Sequence, residues 1–113
     1  MGSFTAGQVV LVDFPFSDLT ASKLRPAIVL ADAGRGDWIL CQVTSNPYGD
    51  RRAISLADAD VLGGSLHRSS YVRPGKLFTA HSKLISRVIG ALADAKFLIM
   101  RDAVVQLIQS GGP

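Results

Sequence analysis

The chain has 113 residues, 48% hydrophobic and 19% charged, which suits one folded domain over residues 1–113 and rules out a disordered chain. No apolar run approaches the ~20 residues of a helical membrane span, and the first residues carry neither the basic nor the apolar region of a secretory signal, so the expectation is a cytoplasmic protein with no membrane partner. The net charge of +3 is unevenly spread: residues 1–50 carry −2, residues 51–87 carry seven basic and two acidic side chains, and residues 88–113 balance at zero. A basic middle third suits a phosphate-backbone footprint, and it suits a solvated surface equally well.

In chain order, Gly7-Gln-Val-Val-Leu-Val-Asp-Phe is β-branched and apolar and is closed by Pro15, which predicts a strand of mixed burial. Ser17 to Lys23 reads as a polar loop. Arg25-Pro26 then launches a core strand over Ala27–Ala31. Asp32 to Asp37, with two glycines, is a turn. Trp38 to Thr44 is a third strand, ended by Ser45-Asn46-Pro47-Tyr48-Gly49-Asp50. A short strand follows over Arg52–Leu56, then a small-residue stretch over Asp58–Ser65. Ser70–Arg73 and Lys76–Thr79 are extended around a bend or bulge at Pro74-Gly75, and Arg87–Gly90 is the last strand. The one helix runs from Asp94, read as its N-cap, to about Gln109, with Gly111-Gly112 as its stop. Phe97, Met100, Val104, Val105 and Ile108 form its predicted apolar face, which Leu98, Ile99 and Leu107 widen. Short strands with turn signals, closed by one helix, predict a mainly β fold: a small, strongly bent antiparallel barrel with an added helix.

Several chemistries are excluded at once. His67 and His81 are fourteen residues apart and neither has a second ligand at helical spacing, so no metal site is expected. The lone Cys41 allows no internal disulfide and, inside an apolar strand, reads as buried and inert. Phosphate-loop, dinucleotide and serine-hydrolase motifs are absent, so no cofactor is expected. What remains is a polar set at strand ends. Arg25 precedes a proline and stands at the mouth of one strand, and Thr44-Ser45-Asn46 stands at the end of another. Arginine offers a permanently charged planar fork to phosphate oxygens, and hydroxyls donate or accept beside it. RNA cleavage suits such a set because the ribose 2′-hydroxyl is its own nucleophile. The protein then has only to align the oxygens, stabilise charge and move protons. From the residues alone, Arg25 as a loop-anchoring ion pair and Thr44 as a strand-end cap explain the same pattern.

The strings Gly7-Gln-Val-Val-Leu-Val-Asp-Phe-Pro-Phe-Ser-Asp and Lys23-Leu-Arg-Pro-Ala-Ile-Val-Leu resemble the opening of the MazF/PemK (Kid) toxins of bacterial type II toxin–antitoxin systems. The resemblance continues through Gln42–Ser45, Ser70-Tyr-Val-Arg-Pro-Gly-Lys-Leu-Phe-Thr79 and Ile89–Asp94, and the Ser-Asp-Leu-Thr loop places it nearer the PemK-like branch. It implies an SH3-like barrel of the PemK/CcdB type, a homodimer, and a metal-independent endoribonuclease. That enzyme would cut single-stranded RNA at short sequences to leave 2′,3′-cyclic phosphate and 5′-hydroxyl ends. It also implies a cognate antitoxin whose acidic disordered tail covers the basic groove. The family's catalytic Arg and Thr fall on Arg25 and Thr44. The acidic residue that some members carry as Glu has Asp18 as its nearest counterpart, with Ser45 as further catalytic support.

For the RNA itself, Lys23, Arg73 and Lys76 are candidate phosphate contacts, and Ser45 and Asn46 candidate base readers. Phe16, Tyr48 and Tyr71 are candidate stacking platforms, although Phe16 and Tyr71 fit a core equally. Trp38 reads as core or dimer interface. The alternatives are a catalytically inactive nucleic-acid-binding barrel and a CcdB-like inhibitor of DNA gyrase.

Overall fold

The computed structural model describes residues 3–15 and 22–112. Seven strands form one antiparallel sheet: β1 (Gln8–Pro15), β2 (Ser22–Gly34), β3 (Asp37–Thr44), β4 (Ile54–Leu56), β5 (Val61–Leu62), β6 (Ser70–His81) and β7 (Ile85–Leu92). Their order is β4-β6-β3-β2-β1-β7-β5, and the sheet curls into a nearly closed barrel completed by helix α1 (Asp94–Ser110). The two edge strands, β4 and β5, are joined through a 3-10 turn at Asp58–Asp60, and Leu56 and Val61 enter the same core.

The three central strands are apolar on both faces because each face has its own core. Val9, Ile28, Cys41 and Val43 point into one cluster with Val72, Leu92 and Met100. Val10, Val12, Ala27, Val29 and Leu40 point into the other, with Trp38, Ala80 and Ile85. This explains why the sequence shows apolar runs there and not strict alternation. Each fully buried aliphatic side chain stabilises the fold by about 1.5–3 kcal/mol. Trp38 belongs to the second cluster, edge-on to Phe4 with ring centroids 5.3 Å apart. Its Nε1–H is buried with no acceptor among the described residues.

Several boundaries differ from expectation. β2 is far longer than Ala27–Ala31, because its polar ends pair with β1 up to Pro15↔Ser22 and with β3 up to Gly34↔Asp37, where no core imposes an apolar pattern. The two pieces expected around Pro74-Gly75 are one strand, β6, interrupted by a bulge: the β3–β6 register jumps from Val43↔Val72 to Cys41↔Leu77. Within the small-residue stretch, Val61–Leu62 forms β5 against β7.

The helix corrects two readings. Ala93 is its N-cap, without a side-chain cap, and Asp94 is the first helical residue. There its carboxylate still faces the positive end of the helix dipole. Met100 and Val104 are buried and Phe97 packs on the first core, whereas Val105 and Ile108 are exposed at 44% and 67%. The inward stripe is therefore Phe97, Met100, Val104 and Leu107. Leu107 rests on the β6 bulge, where a Cβ at Gly75 would lie 3.4 Å from its Cδ2. Gly111 ends the helix in the left-handed region at φ 78°, its N–H bonded to the Leu107 carbonyl. Lys96 ties the first turn to the barrel edge through Asp60 at 3.6 Å and the Ser55 carbonyl at 3.2 Å.

Candidate functional site: an arginine-rich groove over the strand ends

The β2–β3 register pairs Ala27 with Gln42 and Ile28 with Cys41. Beyond that point Arg25 pairs with Val12 of β1 and Thr44 with Tyr71 of β6. Arg25 and Thr44 line a groove of about 680 Å³ that also takes in Ser45 and Tyr48, so the structure brings together four of the residues selected from sequence. The opposite wall is β7, with Arg87, Val88 and Ile89, and the loop over residues 63–69, with Ser65, His67 and Arg68. Three arginines, Arg25, Arg68 and Arg87, line the groove, and among the described residues no carboxylate does.

The wall opposite Arg25 is held by a close backbone approach. A Cβ at Gly64 would overlap the carbonyl oxygen of Ile89, so only glycine lets the loop lie on β7. Further along, the Ser65 hydroxyl accepts from the His67 N–H at 3.0 Å, and Ser70 donates to the Arg68 carbonyl at 3.0 Å. His67 sits at φ 64°, a left-handed conformation uncommon outside glycine.

The near wall is held by a relay from β3 into the following loop. Thr44 Oγ1 accepts from the Asn46 N–H at 3.1 Å, and Asn46 Oδ1 accepts from the Tyr48 N–H at 2.9 Å. The Thr44 hydroxyl is thus a strand-end cap that still has its own proton to donate. Tyr48, at φ 54°, lies on the groove wall under the Arg73 guanidinium, 5.4 Å from the ring centroid. Arg73 donates from Nε to Asp50 at 3.0 Å and from Nη1 to Gln42 at 3.4 Å. The Arg73 hydrogen bond, with a second from the Arg52 N–H, holds the Asp50 carboxyl below the usual carboxylate range.

The remaining candidates lie elsewhere. Arg73 is a loop clamp beside the groove and does not line it; Asn46 spends its side-chain oxygen inside the loop; and Lys23, Lys76 and Tyr71 are also off the groove wall. Tyr71 pairs with Thr44 across β3–β6 and is half-buried. Asp18 and Phe16 fall in residues 16–21, outside the described residues. Cys41 is buried and donates to the Arg73 carbonyl at 3.1 Å. Burial pushes its thiol up to about 12, so it is protonated at neutral pH and is no nucleophile. Among the described residues no cluster of three His, Cys, Asp or Glu side chains is arranged to hold a metal ion, and no helix is long and apolar enough to cross a membrane.

His67, Arg68, Gln42 and Arg87 are groove residues that sequence reasoning did not select. The signal for Arg68 and Arg87 was the charge excess of residues 51–87, which counts arginines without placing them; Gln42 lies outside that stretch and His67 adds nothing to its charge.

The architecture puts the chain in the class of small, nearly closed antiparallel barrels with an added C-terminal helix. Residues 5–108 match the PemK-like, MazF-like toxin of type II toxin-antitoxin systems, and the chain belongs to that family. It is similar to a chain of the MazE–MazF complex from Deinococcus radiodurans, with TM-score 0.74 and 21% identity over 92% of this chain and 94% of that one. It is similar as well to an endoribonuclease from a mycobacterial species, with TM-score 0.73 and 16% identity over 100% and 96%. A mycobacterial endoribonuclease in complex with its cognate antitoxin gives TM-score 0.70 and 15% identity over 100% and 98%. No curated protein matches the sequence.

Proposed function

We propose that this toxin-family barrel is a sequence-specific endoribonuclease that cuts single-stranded RNA by attack of a ribose 2′-hydroxyl on the adjacent phosphorus, without a metal ion. The observation that carries the reading is the convergence of Arg25 and Thr44 in a groove lined by two further arginines and, among the described residues, no carboxylate. Arg25 stabilises the charge that builds on the phosphoryl oxygens, an electrostatic role that typically supplies 10²–10³ in rate per donor. Thr44, fixed by its bond from Asn46, turns its hydroxyl proton toward a phosphoryl oxygen, with Ser45 beside it. Arg68 and Arg87 take the flanking phosphates. Tyr48 gives an exposed ring on which an unpaired base stacks. Lys23 and Lys76 meet only RNA that extends beyond the groove.

Two partners follow from the same reading. A cognate antitoxin with an acidic, disordered tail competes with RNA for the arginine groove; the MazE–MazF and endoribonuclease–antitoxin complexes among the similar structures support this. A second copy of the chain forms the homodimer, and the setting is the bacterial cytoplasm.

The test is incubation of wild type and Arg25→Ala with a long single-stranded RNA in EDTA, with product ends mapped. Discrete cuts ending in cyclic phosphate, lost in the folded variant, support the reading. A folded wild type that binds RNA and cuts none refutes it in favour of an inactive binding barrel. Toxicity that survives Arg25→Ala but disappears on trimming residues after Gln106 points to a gyrase inhibitor.

A further inference from the structure

Resting on the ribonuclease reading, one chemical requirement is still unassigned within the groove. Attack by a 2′-hydroxyl needs an acceptor for the hydroxyl's proton as well as donors for the phosphate. Donors are plentiful: the guanidinium groups of Arg25, Arg68 and Arg87, which are never deprotonated in a protein, and the hydroxyls of Thr44, Ser45 and Tyr48. Acceptors are scarce. The one imidazole among the described lining residues is His67, and a neutral imidazole is the side chain best suited to take a proton near neutral pH.

We propose that His67 is the general base. The 2′ oxygen uses a lone pair to form a bond to phosphorus while its proton passes to an imidazole nitrogen. The phosphorus–5′ oxygen bond breaks with its electron pair leaving on oxygen, and that oxygen takes a proton from water. The imidazolium then returns its proton to solvent, leaving a 2′,3′-cyclic phosphate and a 5′-hydroxyl.

The position is built for an exposed reacting group. Gly64 lays the loop on β7, Ser65 holds the His67 N–H, and His67 is exposed on a left-handed backbone at φ 64°. His67 lines both the groove and a smaller neighbouring cavity of about 330 Å³, so it stands on the ridge between them. The charged and titratable groups around it are Arg25 from β2, Arg87 from β7, Tyr48 from the β3–β4 loop, Arg68 on its own loop, and Asp58 across the smaller cavity.

The experiment uses His67→Asn, since asparagine adopts a left-handed backbone readily, and His67→Gly, which frees room for added imidazole. Each is assayed on an RNA with a single cleavage site and on the same RNA with sulfur replacing the 5′ bridging oxygen. The expected result is unchanged RNA affinity, a fall in kcat of about 10²–10⁴, and loss of the limb of the pH–rate profile that rises with pH. The deficit persists on the sulfur substrate, whose leaving group needs no proton, and imidazole partly restores His67→Gly. A His67→Asn protein that keeps its rate and profile overturns the assignment, as does loss of the same limb in Asp18→Asn instead. Full recovery on the sulfur substrate also overturns it, since that marks an acid and not a base. A wild type that cuts neither RNA fails at the ribonuclease reading itself, and the base assignment falls with it.

Discussion

Replacing Arg73 by Met removes the clamp that holds the β3–β4 loop against β6 and leaves the stem volume in place. The pair it breaks is mostly shielded, with side-chain exposures of 22% for Arg73 and 17% for Asp50. A hydrogen bond to a charged group contributes about 1.5–3 kcal/mol when well shielded, and an exposed cation–π contact about 0.5–1 kcal/mol. Partial screening brings the expected loss to about 1–2 kcal/mol, or roughly 4–10 °C in Tm for a domain of this size. The pH dependence identifies the cause. Asp50 has a lowered folded-state pKa, so its contribution is fully present above the unfolded carboxylate value near 3.9 and is lost as pH falls through the folded value. Thermal melts of wild type and Arg73→Met from pH 7 down to pH 3 should therefore differ by a constant amount until about pH 4 and converge below it. Because both proteins carry the same other carboxylates, general acid destabilisation cancels in the comparison. A gap that stays constant to pH 3, or no gap at neutral pH, refutes the clamp.

Gly64→Ala places a methyl group on the Ile89 carbonyl, so it should cost about 1–3 kcal/mol and, by lifting the loop, most of the activity; chemical denaturation and the RNA assay read the two effects. Three arginines on the groove predict that RNA affinity falls with salt at a log–log slope near −2, and that Arg68→Ala reduces its magnitude by about 0.7; binding titrations at several salt concentrations check this. Met100 is fully buried and Ile108 is 67% exposed, so Met100→Ala should cost about 2–5 kcal/mol. Ile108→Ala should fall within about 0.5 kcal/mol in a dilute monomer, and a large loss there would mean that the face is covered.

The barrel and its helix were legible because their signals are local. β-branched runs, turn glycines and a three-and-four spacing each report on a neighbourhood of a few residues. The end of β3 at Thr44 was legible for the same reason, whereas Arg25, read as the mouth of a strand, lies inside β2 paired with Val12, because β2 begins at Ser22. What escaped depended on distant contacts. Nothing near Gly64 in the chain says that it lies on Ile89, yet that contact decides which side chains of the loop reach the groove. Arg73 and Arg68 look alike as charges in a basic stretch, and only the position of Asp50 makes one a clamp and leaves the other on the groove. The helix face was misjudged at Val105 and Ile108 because the sequence shows how much apolar surface exists and not how wide the facing strand is.

The shortness of β4 and β5, three and two residues, has a consequence for how this molecule meets other chains. A sheet that ends in long strands offers an open ladder of N–H and C=O groups, and any extended peptide can zip onto it regardless of its sequence. Here the rim strands themselves offer three and two residues, and they stop short of their neighbours: β4 pairs only with Ser70–Val72 of β6, and β5 only with Ala91 and Leu92 of β7. Backbone pairing with an extended peptide therefore has its template on β6 over Arg73–His81 and on β7 over Ile85–Gly90, and almost none on β4 and β5 themselves.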